Sequence, residues 1–255
     1  MKGTSSARLL RGLRWLLRGD RVQRRRVRQE LARAAASVFG DFPIGEDHKL
    51  WREDREFLAD YRRLSPGNPY SEDRKWMVRE LVRFTRDVPG HLAECGCYEG
   101  ASAYFIAQEE PGVPLHLFDS FEGLSAAGAE DRVDRWGRSF WREGDMAAAE
   151  ARAREVLAGF PQVRFYKGWI PERFAEVAEE TFRLVHVDVD LYQPTLDSLA
   201  FFYPRLAPGG VIVCDDYGFV TCPGAKRAFD EYMASRPEPV LHLPTGQGMV
   251  IRAGA

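Results

Sequence analysis

The fold class is decided by residues 91–102, which read HLAECGCYEGAS. A strand-like segment, about His91 to Gly96, leads into a loop with glycines at 96 and 100, and a helix-like segment starts near Ala101. Glycines let the backbone pass close to a ligand, and the free N–H groups at a helix start can hold an anionic group. The G-x-G-x-x-G fingerprint of dinucleotide-binding folds is absent, which argues against NAD or FAD as the ligand.

Alternating strands and helices are predicted on both sides of this stretch. The strands are expected at His91–Gly96, Leu115–Asp119, Val163–Tyr166, Leu184–Asp188 and Val211–Asp215. One helix is expected to begin after Ser71 as its N-cap and to include the apolar positions 76, 77, 81, 82 and 84, and further helices are expected near 101–109, 145–157, 171–180, 195–206 and 224–235. Strands separated by helices are typical of a parallel sheet. Val240–Leu243 and Gly248–Ile251 are too close for a helical crossover and predict a final antiparallel hairpin, so we expect an α/β fold with seven strands.

The composition indicates one globular domain with an extension. The chain has 255 residues, 45% hydrophobic and 29% charged, which is enough for one sizeable core. No stretch approaches the roughly 18 uncharged apolar residues of a membrane-spanning helix, and Arg11 and Arg14 interrupt the apolar N-terminus, which argues against a secretory signal. The cysteines at 95, 97, 214 and 222 lack the spacing of a zinc or disulfide framework. We interpret them as core residues of a reduced compartment and expect a cytoplasmic protein.

Charge is divided unevenly along the chain. Residues 1–36 hold eleven basic and two acidic side chains, a net charge of +9, whereas the remainder holds 25 basic and 36 acidic side chains, a net charge of −11. In this basic arm one helical face carries Arg8, Arg11, Arg14 and Arg18 and another carries Leu9, Leu13 and Leu16. The pattern favours a short helix lying on an anionic membrane surface over a nucleic-acid patch. The alternatives are a helix packed on a partner or lid, and a targeting peptide or disordered tail.

These features divide the chain into three parts. Residues 1–36 form a basic amphipathic N-terminal arm, residues 37–70 a segment with six aromatic side chains, and residues 71–255 the α/β domain. The middle segment is interpreted either as a helical lid over a substrate or as helices docked on the domain or on a second subunit. A homo-oligomer is therefore left open.

An acidic residue ends the second predicted strand. Asp119 stands about twenty residues after the glycine loop, where an acid accepts hydrogen bonds from the two hydroxyls of a ribose. Phe118 and Phe121 flank it and are suited to stacking on a base. The alternative is an aspartate that caps a helix in an ordinary turn. Together the loop and the acid favour an adenosine-containing ligand.

Two later strands also end in carboxylates. Asp188 ends one of them, and Asp215 and Asp216 end the next. One helix separates these strands, so we expect them to be neighbours, and three carboxylates that meet in a cleft call for a cation such as Mg²⁺. The alternative is that these acids are polar strand ends that face water. Asp190 is interpreted as a helix cap, with membership of the acidic cluster as the alternative, and His186 as a core residue or a support behind the ligands.

These residues together resemble a known class of enzyme. The set Glu94, Gly96, Tyr98, Gly100, Ser102, Asp119, Asp188, Asp215 and Asp216 is similar to that of metal-dependent class I O-methyltransferases that use S-adenosylmethionine, the catechol O-methyltransferase type included. More closely, residues 118–124 (FDSFEGL), 188–192 (DVDLY) and 215–217 (DDY) resemble the macrocin O-methyltransferase family, which methylates sugar hydroxyls on natural products and related glycans. The resemblance covers about residues 70–252. It implies a Rossmann-like class I methyltransferase fold and Mg²⁺-dependent transfer of a methyl group to a hydroxyl, most of all that of a sugar.

The resemblance also implies a role for each matched position. The S-adenosylmethionine site is expected from Glu94, Gly96, Tyr98, Gly100, Ser102, Asp119, Ser120, Gly168 and Trp169, and the site for Mg²⁺ or a similar cation from Asp188, Asp215 and Asp216. Within the first set, Glu94 would take the amino group of the methionine part, Asp119 would bind the ribose, and Gly168 and Trp169 would border the adenine.

The proton acceptor and the reaction class have alternatives. Catechol enzymes place a lysine three residues after the first metal aspartate, and here that residue is Leu191, so proton removal is assigned to Asp188 as ligand and base together. The triplet Asp188-Val189-Asp190 is also the D-x-D of metal-dependent glycosyltransferases, although the glycine loop and the second acidic pair argue against that class. A small phenolic acceptor, and a scaffold without activity that the basic arm tethers to an anionic partner, complete the alternatives.

Overall fold

A computed structural model describes residues 5–19, 23, 24, 27, 31, 50–66, 68, 71–133 and 138–254. The chain divides into two compact units, Met1–Glu53 and Asp54–Ala255. In the first unit, helix α1 spans Ser5–Arg18 and a 3₁₀ turn spans Leu50–Arg52. The part of the predicted lid or docking segment at residues 37–49 lies outside the described residues, as does Tyr70. Among the described residues, none forms a helix with the length and apolar character that crossing a bilayer requires.

The second unit contains the α/β domain. Its helices are α2 Arg55–Leu64, α3 Glu72–Phe84, α4 Ala101–Glu109, α5 Glu150–Val156, α6 Tyr192–Phe202 and α7 Pro223–Met233. Its strands are β1 His91–Cys95, β2 Leu115–Asp119, β3 Arg132–Val133, β4 Arg138–Ser139, β5 Val163–Lys167, β6 Phe182–Val187, β7 Leu206–Cys214, β8 Leu241–His242 and β9 Gly248–Ile251. The short strands β3 and β4 form a separate antiparallel pair.

Seven strands form one sheet in the order β5-β2-β1-β6-β7-β9-β8. The first five are parallel, and β9 pairs antiparallel with both β7 and β8. The predicted mostly parallel sheet with a C-terminal antiparallel hairpin is therefore confirmed. Cys95 pairs with Val187, and Val187 pairs with Cys214, so β1, β6 and β7 end level with one another. The residues that follow these three strands consequently meet at one edge of the sheet.

Both faces of the sheet are covered, which is why its central strands are mostly apolar. On one face, aromatic side chains pack edge to face, with ring centroids of Phe118, Phe174, Phe182 and Phe202 between 4.9 and 5.8 Å apart. On the other face, α3 and α4 bury apolar side chains against the strands. All four cysteines lie in the described residues and are buried free thiols, as expected.

Three segments differ from the sequence prediction. The helix expected at 171–180 is a single 3₁₀ turn, because one such turn is enough to bury Phe174 and Val177 three residues apart. The helix expected from 145 begins only at Glu150, since Met146 has a φ of 62° that a right-handed helix cannot include. Ser71 does stand at the N-cap of α3, but its hydroxyl lies 2.9 Å from the Tyr61 hydroxyl and caps no helix N–H.

The α2 helix belongs to the same compact unit as the sheet. Phe57, Tyr61 and Leu64 are its buried residues. The Phe57 ring contacts Trp76 of α3 at 5.1 Å and Phe105 of α4 at 4.8 Å between ring centroids. The C-terminal part of the predicted lid or docking segment thus packs on the first two helices of the domain.

A buried histidine of β2 makes the stability depend on pH. His116 is fully buried, with Nε2 3.0 Å from Nδ1 of His91 and Nδ1 2.9 Å from the Tyr166 hydroxyl. Burial, together with the neighbouring His91 and Arg164, lowers the pKa of His116 to about 4. Protonation of His116 is therefore disfavoured in the folded protein. In the unfolded chain, the same side chain binds a proton near the ordinary histidine pKa of about 6.5.

We expect this histidine to stabilise the fold above about pH 6.5 and to lose that contribution as the pH falls towards 4, because the unfolded chain then binds the extra proton. The variant His116→Gln should have a free energy of unfolding that falls less steeply over this window than that of the wild type. Urea unfolding at several pH values measures the slope, with the exposed His242→Gln as the control. Equal slopes for His116→Gln and the wild type would contradict the expectation.

Candidate active site

One cavity opens at the carboxyl ends of the parallel strands. It has a volume of about 970 Å³, and its wall includes the loop after β1, the acid that ends β2 and the loops after β6 and β7. The strand order reverses here, because β2 and β6 lie on opposite sides of β1. Such a reversal is where open α/β sheets bind their ligands. The cavity is therefore the candidate active site.

The glycine loop after β1 is fixed against two neighbouring strand ends. Gly96 has a φ of 82°, and a Cβ there would lie 1.9 Å from the carbonyl oxygen of Asp188, so residue 96 must lack a side chain. From the other side, Oδ2 of Asp119 accepts hydrogen bonds from the backbone N–H groups of Cys97 at 2.8 Å and Tyr98 at 2.9 Å. The acid that ends β2 thus holds the loop in place while it borders the cavity.

The predicted S-adenosylmethionine residues are brought together in part. The cavity wall includes Gly96, Tyr98, Ser102, Asp119, Ser120 and Trp169. Gly100 occupies the N-cap position of α4, behind the loop. Glu94 and Gly168 are not among the described residues that line the cavity. The roles given to all nine residues stay predictions.

Glu94 is fully buried in β1 and contacts a histidine instead of the cavity. Its Oε1 lies 2.8 Å from Nδ1 of His186, and its Oε2 has no hydrogen-bond partner among the described residues. Nε2 of His186 lies 3.2 Å from Oδ1 of Asp215. Burial alone would lower the pKa of His186, but its hydrogen bonds to Asp215 and Glu94 outweigh burial and raise the pKa to about 10. His186 is therefore a buried cation that joins the two acids, which fits its interpretation as a support.

Asp215 has both oxygens filled by protein donors. Its Oδ1 accepts hydrogen bonds from His186 and from Nε2 of Gln247, the latter at 2.7 Å, and its Oδ2 pairs with the guanidinium of Arg74. Burial would raise the pKa of Asp215, yet Lys75, His186 and Arg74 outweigh it and hold the pKa well below its usual range. Asp215 is consequently a buried, ionised carboxylate.

Four carboxylates surround this end of the cavity, and we call Asp188, Asp190, Asp215 and Asp216 the acidic cluster. Their ligand atoms fall into two groups whose members lie within 4.8 Å of one another. One group is His186, Asp188 and Asp215, and the other is Asp190, Asp216 and Cys222. The three acids predicted as one metal set are thus divided between the two groups. Nζ of Lys75 lies 3.5 Å from Oδ2 of Asp188.

Asp190 is part of the cavity and does not cap a helix, contrary to its interpretation from the sequence. It has a φ of 58°, and Leu191 takes the N-cap position of α6. The backbone N–H of Asp190 donates to Oδ2 of Asp216 at 3.0 Å, and the Cys222 thiol donates to Oδ1 of Asp190 at 3.4 Å. Burial, followed by the charge of Asp188, raises the pKa of Asp190 to about 7. Burial with the charge of Asp190 raises that of Asp216 well above its usual range.

Sequence reasoning missed Arg74, Lys75 and Gln247. A local signal was present for the first two, since they are consecutive cations in the first turn of α3. The positive end of the helix dipole disfavours cations there. Two cations at this unfavourable position are explained when acids from elsewhere in the fold compensate their charge. Gln247 lies in the turn between β8 and β9 and had no comparable signal.

Comparison with known proteins gives a family match. Residues 75–243 match the model of a family described as macrocin-O-methyltransferase (TylF). The chain is 30% identical over 169 residues to demethyldecarbamoylnovobiocin O-methyltransferase of Streptomyces niveus, covering 62% of this chain and 64% of that one. It is 32% identical over 148 residues to 8-demethyl-8-(2,3-dimethoxy-alpha-L-rhamnosyl)-tetracenomycin-C 4'-O-methyltransferase of Streptomyces olivaceus, covering 54% and 57%. The chain thus spans about three fifths of the length of these relatives.

Solved structures share the fold. The O-methyltransferase NovP superposes with a TM-score of 0.62 at 26% sequence identity, covering 76% of this chain and 88% of NovP. A calicheamicin methyltransferase superposes with a TM-score of 0.63 at 20% identity, covering 82% of this chain and 98% of that one. The second likeness concerns the fold alone. Both confirm the predicted Rossmann-like class I methyltransferase architecture.

Proposed function

The chain belongs to the macrocin O-methyltransferase family, and on that premise we propose that it transfers a methyl group from S-adenosylmethionine to a hydroxyl of a sugar-containing acceptor, with Mg²⁺ or a similar divalent cation. The chemical step is the attack of the hydroxyl oxygen on the methyl carbon, which leaves S-adenosylhomocysteine and a proton. The acceptor would be a sugar in a glycan or in a glycosylated natural product.

One observation carries this proposal: a single cavity holds both a glycine loop with its acid and a group of carboxylates. The loop and Asp119 line this cavity, and so do Asp188, Asp190 and Asp216. A volume of about 970 Å³ is at the upper end of ordinary ligand pockets, which suits a donor and an acceptor side by side. The geometry therefore supports group transfer between two bound molecules.

The donor half of the cavity suits S-adenosylmethionine. Asp119 would face the ribose, Trp169 would border the adenine, and the N-terminus of α4 would face the carboxylate of the methionine part. The bound donor supplies a methyl group activated by its sulfonium. The rigid loop would hold that methyl in line with the acceptor oxygen, and such positioning is a large part of catalysis in bimolecular transfers.

We expect Asp119→Asn to weaken binding of S-adenosylhomocysteine by about 10- to 100-fold, because a charged acceptor that serves the ribose and the glycine loop is lost. Isothermal titration calorimetry measures the dissociation constant. Glu122→Gln is the control, since Glu122 is an exposed acid in the loop that follows β2. If a UDP-sugar stabilises the wild type in a thermal shift and S-adenosylhomocysteine does not, the D-x-D glycosyltransferase alternative replaces this proposal.

The carboxylates of the acidic cluster are chemically suited to binding a divalent cation. Asp188, Asp215 and Asp216 would hold the ion, since carboxylate oxygens are the ligands that Mg²⁺ prefers. The bound cation supplies positive charge that favours the ionised form of an acceptor hydroxyl. Asp188 and Asp216 line the cavity, whereas Asp215 is filled by its protein donors.

One of the carboxylates that line the cavity would accept the proton of the acceptor hydroxyl. We assign this step to Asp188, whose side chain is 25% exposed and lines the cavity. Asp190, two residues further along the chain, is another carboxylate that lines the cavity. The lysine of the catechol enzymes has no counterpart at Leu191, but Lys75 reaches Asp188 from α3.

We expect Asp188→Asn to lower Mg²⁺-stimulated turnover by at least about 100-fold, the usual contribution of a general base, while S-adenosylhomocysteine binding stays measurable. Turnover is followed with enzyme treated with a chelator and then resupplied with Mg²⁺. The exposed Asp87→Asn is the control. Normal turnover of Asp188→Asn would contradict the assignment, and loss of turnover in Asp190→Asn alone would move the base to Asp190.

Aromatic side chains border the part of the cavity that would hold the acceptor. Trp141 and Phe219 line the cavity beside the acidic cluster, and Leu64 and Ser65 at the end of α2 complete the wall. Aromatic rings provide large apolar surfaces, and polar groups placed among them orient a ligand, which suits a sugar. The name of the Streptomyces olivaceus relative includes a rhamnosyl group. These features favour a sugar over a small phenolic acceptor.

The basic helix α1 supports a role at an anionic membrane surface. It carries four arginines and no acidic residue, and Leu13 and Leu17 are exposed. An arginine face beside a leucine face is typical of helices that lie on anionic bilayers. Such a location would bring the enzyme to a lipid-linked or surface glycan.

We expect the full-length chain to sediment with vesicles that contain anionic lipid, and a variant with Arg8, Arg11, Arg14 and Arg18 all changed to Gln to stay in the supernatant. Neutral vesicles and raised salt are the controls, because both weaken electrostatic attachment. Equal sedimentation of the two proteins would end the membrane proposal without affecting the methyltransferase proposal.

A further inference from the structure

Two cations from one helix pair with two acids of the acidic cluster. Arg74 pairs with Asp215, and Lys75 pairs with Asp188, although both cations stand in the first turn of α3. The helix dipole opposes positive charge at this position. The carboxylates of β6 and β7 therefore have to offset the cost of placing these two cations there.

Arg74 and Lys75 differ in the exposure of their side chains. The side chain of Arg74 is 18% exposed and forms part of the cavity wall. Its guanidinium carbon lies 4.8 Å from the centroid of the Phe219 ring, and Phe219 also lines the cavity. Because Arg74 already lines the cavity, rotation of its side chain away from Asp215 would carry the guanidinium into the cavity. The side chain of Lys75 is 11% exposed and is more enclosed.

The oxygen that Arg74 fills is the remaining ligand position of Asp215. Oδ1 of Asp215 already accepts from His186 and Gln247, so only Oδ2 is available to an ion from the cavity side. A guanidinium and a divalent cation at that oxygen would repel each other strongly, because their positive charges would lie only a few ångströms apart. Arg74 at Asp215 therefore opposes the binding of a metal ion to the same carboxylate.

We propose that Arg74 is a displaceable counter-cation of this site: its guanidinium neutralises Asp215 in the metal-free enzyme and withdraws into the cavity when a divalent cation binds the acidic cluster. The inference rests on the proposed metal site. It makes Arg74 a positioning residue that keeps a buried carboxylate compensated before the metal arrives. Arg74 also competes with the metal ion for Asp215, so the affinity of the site for the ion is lower than the four carboxylates alone would give.

The test is Mn²⁺ binding to the full-length protein, followed by the electron paramagnetic resonance signal of the free ion. Arg74→Met should bind Mn²⁺ roughly tenfold more tightly or better than the wild type, the order of change that a neighbouring charge causes in the affinity of a carboxylate for a cation. Arg74→Lys, which keeps a cation at this position, should lie between the two. Arg83→Met on the same helix is the matched control, because Arg83 pairs with Glu80 and Glu109 away from the cavity.

Thermal unfolding provides a second readout. Without metal, Arg74→Met should melt below the wild type, since Asp215 loses its counter-charge, and saturating Mn²⁺ should raise its melting temperature by more than that of the wild type. Asp188→Asn added to Arg74→Met should abolish the tight binding, which locates the ion at the acidic cluster. Mn²⁺ binding by Arg74→Met no tighter than by the wild type, including no binding to either, would overturn the proposal. In that case S-adenosylhomocysteine binding and metal-free methyl transfer, measured on the same samples, decide separately whether the methyltransferase proposal holds.

Discussion

The burial of two carboxylates, with two more beside them, at the ends of two adjacent strands is the constraint on which the rest of the site depends. Asp215 and Asp216 are buried, and Asp188 and Asp190 lie beside them. Uncompensated charge in such a place costs several kcal/mol per group in real proteins, on the order given by the desolvation of an ion. The fold therefore has to deliver positive charge and hydrogen-bond donors to this one point. It does so from α3, from β6 itself and from the C-terminal hairpin, so elements far apart along the chain are tied together here.

The same strand ends also fix the cofactor side of the cavity. The N–H of Gly96 donates to the carbonyl of Phe118, that of Asp188 to Cys95, and that of Asp215 to Val187. These backbone hydrogen bonds continue the sheet by one residue beyond the regular strands. The glycine loop then passes directly against the Asp188 carbonyl, which explains the need for glycine at 96. A shift of the acidic cluster would thus move the loop that is proposed to hold the methyl donor.

Local patterns in the sequence were enough to predict the sheet and the strand ends that meet at the cavity. The bounds of β2 and α4 agree with the prediction, and the acids at the ends of β6 and β7 meet because one helix connects neighbouring strands. The partners of those acids could not be predicted in the same way. Arg74 and Asp215 are 141 residues apart along the chain. Periodicity and spacing show which strands end in acid, but they do not show which distant helix supplies the cation.

The distribution of charge within the cluster follows from these long-range contacts. Burial and mutual repulsion raise the pKa of Asp190 and that of Asp216, whereas the cations around Asp215 lower its pKa. The two cations of α3 are thus paired with Asp188 and Asp215, and the other two acids lie apart with Cys222. The three acids that the sequence predicts as one metal set are therefore divided between two groups in the folded chain. Buried carboxylates have to be compensated for the fold to be stable, and the two cations that the chain supplies from α3 compensate Asp188 and Asp215.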